Sequence, residues 1–242
     1  MEKRDELYRG KAKTVYTTSD PHRLIMHYRD DVSAFDGAKL AKLDLKGETN
    51  NRINAYVMDK LAAAGVATHF VRMLNERESL VKAMKMIPVE CVVRNVCAGS
   101  MAKRYGIAEG QRLREPIFEF FLKSDALHDP LCNDDHIRVL GWASEADIVR
   151  MKALTHKVNA VLTPLFANAG IDLVDYKLEF GHLSEDPGGD LVLGDEFTPD
   201  GCRLWDMKSG EKLDKDRFRR DLGSVIEHYR EVAKRIGVPL PA

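Results

Sequence analysis

Apolar and polar residues alternate with a period of two over three short stretches early in the chain: Leu7 to Arg9, Thr14-Val15-Tyr16-Thr17, and Leu24-Ile25-Met26-His27-Tyr28, with breaks at Gly10 and Asp20-Pro21. Alternation sends successive side chains to opposite faces and the breaks supply turns, so the pattern predicts a small antiparallel meander. The period then changes. Ile53, Val57, Leu61 and Ala64 recur at helical spacing within Lys46 to Ala64, and Gly65 closes the run, which predicts a helix covering the sheet. Apolar or β-branched runs at His69 to Leu74, Leu80 to Met84 and Pro88 to Arg94 predict further strands, and Met101 to Tyr105 a helix.

Farther along, Ser144-Glu-Ala-Asp offers an N-cap hydroxyl with an acidic residue three positions on. Ile148, Met151, Leu154, Val158, Val161, Leu162 and Leu165 then follow at steps of three and four up to Gly170, the pattern of a long core helix. Ile171 to Phe180 and Leu191 to Leu193, joined by Ser184-Glu-Asp-Pro-Gly-Gly-Asp, read as a hairpin, and Asp214 to Ile236 as a helix. No repeat, low-complexity tract or linker interrupts the chain, so the expected organisation is two lobes without a flexible joint: a β-rich lobe over residues 1–84 and an α+β lobe over 85–242.

Composition narrows the class. With 242 residues, 44% of them hydrophobic, the chain can bury a sizeable core, and 37 Lys+Arg against 38 Asp+Glu give a net charge of -1. Disorder needs low hydrophobicity with a large charge imbalance, and nucleic-acid binding a basic excess, so both are excluded. No apolar run approaches the roughly 20 residues that span a bilayer. The expectation is a cytoplasmic protein that binds neither membrane nor nucleic acid. Its four cysteines, Cys91, Cys97, Cys132 and Cys202, form no C-x-x-C pair and are expected reduced; Cys132 with His128 and His136 lacks a fourth zinc ligand.

Three groups of residues carry candidate chemistry. Asp175, Lys177 and Glu179 share one face of the Ile171 strand while Val174, Tyr176, Leu178 and Phe180 share the other. This could be a solvated outer face, but Asp195 leaves an apolar run at Gly194 across the hairpin from Glu179, and two such carboxylates repel unless a cation lies between them. A Mg²⁺ ion accepts one or two carboxylates and takes its remaining ligands from water and phosphate. Gly10-Lys11-Ala12-Lys13 suits either a polyphosphate or a tight hairpin with solvated lysines. Arg94 with Ser100 fits either an anion pocket at a helix start or a salt bridge, to Glu90 on the same strand face, beside a plain N-cap. Arg203, near Trp205, is a further candidate anion contact. His69, His156 and His228 read as surface residues, and the two tryptophans and Met84-Lys-Met as packing.

Gly10-Lys-Ala-Lys-Thr-Val-Tyr, Ser33-Ala-Phe-Asp-Gly, Ile87-Pro-Val-Glu-Cys-Val-Val-Arg through Ala98-Gly-Ser, Val174-Asp-Tyr-Lys-Leu-Glu-Phe-Gly, and Leu193-Gly-Asp-Glu-Phe-Thr-Pro-Asp-Gly-Cys-Arg-Leu-Trp-Asp occur in this order, and together they resemble the SAICAR synthetase family nearly end to end. The resemblance implies a two-lobed α+β fold with an ATP cleft similar in plan to that of protein kinases. It implies an ATP- and Mg²⁺-dependent ligase that joins L-aspartate to the carboxylate of CAIR, in a homo-oligomer such as a dimer. For individual residues it implies that Gly10, Lys11, Ala12, Lys13 and Lys123 serve the ATP phosphates, that Val15, Met84, Met86 and Leu178 line the adenine pocket, and that Lys82 also belongs to the ATP site. Glu179 and Asp195 would hold Mg²⁺, and Arg94, Ser100 and Arg203 the CAIR phosphate. Asp175, Lys177 and Asp200 would surround the reacting carboxylate, and Ser33, Asp36 and Asp129 the aspartate and imidazole ends. A small-molecule kinase on a similar frame would present an H-R-D-like catalytic loop, which the sequence lacks, and a nucleotide-binding module without catalysis would need no second, arginine-lined anion site.

Overall fold

A computed structural model describes residues 2–35 and 37–241. The meander forms as expected: β1 (Lys3–Arg9), β2 (Lys13–Thr18) and β3 (Arg23–Tyr28) pair antiparallel in turn. A hairpin of β4 (Asp31–Ala34) and β5 (Lys39–Lys42) and helix α1 (Lys46–Ala63) precede β6 (Phe70–Met73) and β7 (Glu78–Lys82). The last two strands extend the meander into a five-stranded sheet of order β1-β2-β3-β7-β6. The chain leaves this sheet at Lys82 and enters a second one at Met84.

The second sheet is built from β8 (Met84–Val96), β9 (Arg112–Leu122), β10 (Leu131–Cys132), β11 (Ile171–Leu183), β12 (Val192–Gly194) and β13 (Cys202–Asp206). Its order is β10-β9-β8-β11-β12, with β13 also on β11. Helices α2 (Gly99–Tyr105), α3 (Asp134–Val139) and α4 (Glu145–Asn168) lie between its strands in the chain, and α5 (Asp216–Arg219) and α6 (Val225–Arg235) close it. Ser144 caps α4 as anticipated, its hydroxyl accepting from the Asp147 amide at 3.1 Å. The apolar sides of α1, α4, β8 and β11 meet in one core, to which Val57, Val93, Leu162, Tyr176, Leu178 and Phe180 all belong. Among the described residues no helix is long and apolar enough to cross a membrane.

One expectation needs correcting, and one strand has no counterpart in the sequence pattern. The span from Asp214 to Ile236 is two helices, because Asp221, Gly223 and Ser224 between them adopt φ of 54°, 71° and 48°, left-handed values that a right-handed helix excludes. Strand β9 also went unread. Glu115-Pro116 interrupts it and Phe118, Phe120 and Phe121 blur its alternation; Pro116 is tolerated because β10 pairs only with Phe120 and Phe121, which leaves one side of β9 free at the proline.

Candidate functional site

Strand β11 organises the site because both its edges are paired. On one side Asp175 faces Arg94 and Glu179 faces Glu90 of β8. On the other side β13 sets Arg203 opposite Asp175, and β12 sets Gly194 opposite Glu179. Alternation then sends Asp175, Lys177 and Glu179 into an open cleft of about 970 Å³, also lined by Gly10 to Lys13, Arg94, Asp195 and Arg203. Asp175, Lys177 and Glu179 thus share the cleft side of β11, the common face that their alternation in the sequence predicts.

One end of the cleft is a dense charge network. Lys177 Nζ lies 2.5 Å from Glu179, 2.9 Å from Glu90 and 3.5 Å from Asp195. Lys13 pairs closely with Asp195 and Lys123 with Glu179. Burial alone would raise the Asp195 carboxyl, but Lys13, Lys177 and Lys123 outweigh it and hold the group well below the ordinary carboxylate range. Burial likewise disfavours the charged forms of Lys13 and Lys177, yet their acidic neighbours keep both ammonium groups charged. A single ammonium, that of Lys177, touches both Glu179 and Asp195, so one cation can serve this carboxylate pair. Among the described residues no three His, Cys, Asp or Glu side chains form a metal cage; two carboxylates completed by phosphate oxygens and water are the donor set that Mg²⁺ accepts.

The other end is arginine-rich. Arg94 donates through Nε to Glu119 at 2.6 Å, through Nη1 to Asp175 at 3.1 Å and through Nη2 to the Ser100 hydroxyl at 3.2 Å. Arg203 donates to Asp175 at 2.8 Å and to Asp216 at 2.9 Å. The Arg94–Glu90 bridge does not form: four residues along a strand span about 13 Å, whereas Asp175 lies directly across the sheet from Arg94 on β11 and Glu119 diagonally across on β9, and Glu90 goes to Lys177. Ser100 is no N-cap either, since α2 is capped at Ala98. Gly99, at φ 56°, lies against the Arg203 guanidinium, where an added Cβ would collide with it. The glycine lets that guanidinium lie flat on the start of α2 beside Ser100.

Asp200 sits between these ends. Lys46 pairs with it at 2.5 Å, Asn50 donates to it at 2.8 Å and Tyr229 at 2.9 Å. Burial would raise its carboxyl, but Lys46 and Lys215 hold it at about 2, so it stays ionised. The Gly10 turn is closed by a Gly10 N–H to Lys13 carbonyl bond of 2.9 Å. Arg29 clamps the turn from below, donating to the Gly10 carbonyl at 2.7 Å and the Lys13 carbonyl at 2.6 Å.

Of the residues singled out from sequence, the cleft gathers Gly10, Lys11, Ala12, Lys13, Ser33, Arg94, Ser100, Lys123, Asp129, Asp175, Lys177, Glu179, Asp195, Asp200 and Arg203. Val15, Lys82, Met84, Met86 and Leu178 fall outside its lining. Val15 packs beside Met26 and Val81, Lys82 ends β7, Leu178 is in the core, and Met84 and Met86 lie against Gly194. Asp36 lies outside the described residues. Sequence reasoning missed Arg29, Lys46, Asn50, Glu119, Asp216 and Tyr229. Glu119 alone had a signal, as the polar residue between Phe118 and Phe120. His69, read as a surface residue, is buried; its ring Nε2 bonds the Asp195 carbonyl at 2.8 Å. Burial lowers its pKa to about 4, so the ring is neutral at pH 7 and its Nε2–H supports the turn that carries Asp195.

Asp214, beneath the arginine end, accepts N–H bonds from Leu204 and Asp216, both 2.7 Å. Burial pushes its carboxyl up to about 7. The folded chain therefore retains a proton that the unfolded chain releases near 3.8, and the stability this confers is complete below that pH and lost as pH rises through about 7. Urea unfolding of the native protein is expected to show a decline of about 2–4 kcal/mol between pH 4 and 8 from this group. In Asp214→Asn that part of the slope should vanish, and an unchanged slope would remove Asp214 as its source.

The SAICAR synthetase family model matches residues 6–236. A phosphoribosylaminoimidazole-succinocarboxamide synthase from Alteromonas mediterranea is 62% identical over 99% of this chain and 100% of its own length. A crystal structure of the synthase of that name from Ehrlichia chaffeensis superposes with a TM-score of 0.96 at 45% identity, covering 98% of this chain and 100% of the other. A SAICAR synthetase described as a complex with ADP superposes with a TM-score of 0.92 at 43% identity over 97% and 99% of the two chains.

Proposed function

The chain belongs to the SAICAR synthetase family, and from that premise we infer that it joins L-aspartate to the carboxylate of CAIR at the expense of ATP, giving SAICAR, ADP and phosphate. The observation that carries this reading is the register of β11. It sets an acidic pair that one cation can bridge, at Glu179, and an arginine-lined anion hollow, at Asp175, on the same face of one strand and in the same cleft.

The residue types suit the chemistry. A carboxylate resists amide formation because its leaving group would be oxide. Transfer of the γ-phosphoryl group to a carboxylate oxygen of CAIR, releasing ADP, gives an acyl phosphate; the aspartate amine then attacks the acyl carbon, phosphate departs and the nitrogen loses a proton. Such a sequence needs positioning and charge neutralisation rather than a protein nucleophile, and the four cysteines, all buried, offer none. Lys11, Lys13 and Lys123, with Gly10 and Ala12, would lie over the ATP phosphates, and Val15, Lys82, Met84 and Met86, with Leu178 behind them, would flank the base and phosphates along the seam between the sheets. Glu179 and Asp195 would hold Mg²⁺, which supplies neutralisation of phosphate charge. Arg94, Ser100 and Arg203 would grip the CAIR phosphate, and Asp175, Lys177 and Asp200 would orient its carboxylate. Ser33 and Asp129, which edge the same cleft, would serve the aspartate and imidazole ends together with Asp36. Action as a dimer in the cytoplasm goes with the same family reading.

Incubation with ATP, Mg²⁺, CAIR and L-aspartate should release ADP, and omission of any one component should abolish it. ADP formed equally well without aspartate would point to a kinase and sink the ligase reading.

A further inference from the structure

The cleft's lysines and arginines are almost all committed to carboxylates: Arg9 to Glu6, Lys11 to Asp125, Lys13 to Asp195, Arg94 and Arg203 to Asp175, Lys123 and Lys177 to Glu179, and Arg219 to Asp216. Lys215 is the exception. Its half-buried side chain lines the cleft, and among the described residues its Nζ makes no hydrogen bond or ion pair. Its backbone is fixed beside Asp200, with the Lys215 N–H donating to the Pro199 carbonyl at 3.2 Å. Burial, reinforced by Arg219 and Lys46, lowers its pKa although Asp200 and Glu196 oppose the shift.

An unmatched ammonium in a cleft is a receptor for an anion. On the proposed function, which this inference rests on, the phosphates of ATP and CAIR already have their lysines and arginines, and the anions left over are the carboxylates of the amine substrate. The surroundings match a zwitterion: Lys215 and the ionised Asp200 stand near each other without pairing, one for a carboxylate and one whose field favours an ammonium. The place is also right for the reaction. Gly201, next to Asp200, lies so close to Lys177 that an added Cβ would stand 3.8 Å from Lys177 Cγ, and Lys177 is the group placed at the reacting carboxylate.

We propose that Lys215 is the residue that selects an acidic amino acid as the amine substrate, by binding one of its carboxylates beside Asp200. Lys215→Gln keeps most of the length of the side chain and removes the charge, and because Nζ holds no other group the fold should be untouched. With ADP release as the assay and each substrate varied in turn, Lys215→Gln is expected to raise KM for L-aspartate about 10- to 100-fold, to leave KM for ATP and for CAIR within about twofold, and to be largely rescued in Lys215→Arg. An unaltered aspartate KM overturns the proposal, as does a parallel rise in all three constants, which would mark a structural role. Wild-type protein whose ADP release ignores aspartate would instead defeat the ligase reading itself, so the two failures are told apart.

Discussion

Asp195→Asn is expected to lower kcat by about 10²–10³-fold while the protein stays folded. The substitution keeps the volume of the side chain and removes one charge from the pair that would hold Mg²⁺. Two features protect the fold. Asp195 has φ 55°, a left-handed conformation that asparagine adopts at least as readily as aspartate, and His69 holds the backbone carbonyl, which the substitution does not touch. The lysines also keep partners, Lys13 with Glu196 and Lys177 with Glu90 and Glu179. The variant should therefore show an unchanged thermal midpoint within a few degrees, weakened magnesium dependence in the ADP-release assay, and little change in KM for CAIR. Normal turnover at saturating Mg²⁺ would refute the metal role of this carboxylate.

What the sequence made legible, and what it did not, divides along the range of the interactions. The chemical face of β11 could be read directly, because a strand has a period of two and its apolar residues, Val174, Tyr176, Leu178 and Phe180, identify the buried side. Asp195 could be placed near Glu179 because a hairpin joins them. Pairings between segments distant in the chain left no such trace. Nothing about Lys46 in the polar start of α1 signals that it will be buried against Asp200, and nothing in Glu90 and Arg94 reveals that each finds a nearer partner across the sheet than the other along it. Register settles those partners, and register depends on packing of whole strands. His69 escapes a sequence reading for the same reason: the strand it precedes is exposed in part, and only the parallel bridge of Thr68 to Leu193 buries it beside Asp195.

The arginine end makes the second large prediction, in which binding and stability move together. Arg203→Ala should raise KM for CAIR by about 30- to 1,000-fold, equivalent to about 2–4 kcal/mol for removing a charge-assisted hold on phosphate by a largely buried guanidinium, with KM for ATP little changed. It should also destabilise the fold, because Arg203 lies between the buried carboxylates of Asp175 and Asp216, and stripping a partner from a buried charge costs up to about 3–5 kcal/mol. Here the loss should be nearer about 1–3 kcal/mol in urea unfolding, since Asp175 keeps Arg94 and Asp216 keeps Arg219. Lys is not an equivalent replacement. The guanidinium meets two carboxylates through separate nitrogens while lying flat on Gly99, and an ammonium offers a single point of attachment. Arg203→Lys should thus recover most of the stability and only part of the CAIR affinity, separating the structural duty of this side chain from its hold on the phosphorylated substrate. Equal recovery of both would mean that the arginine serves the fold alone.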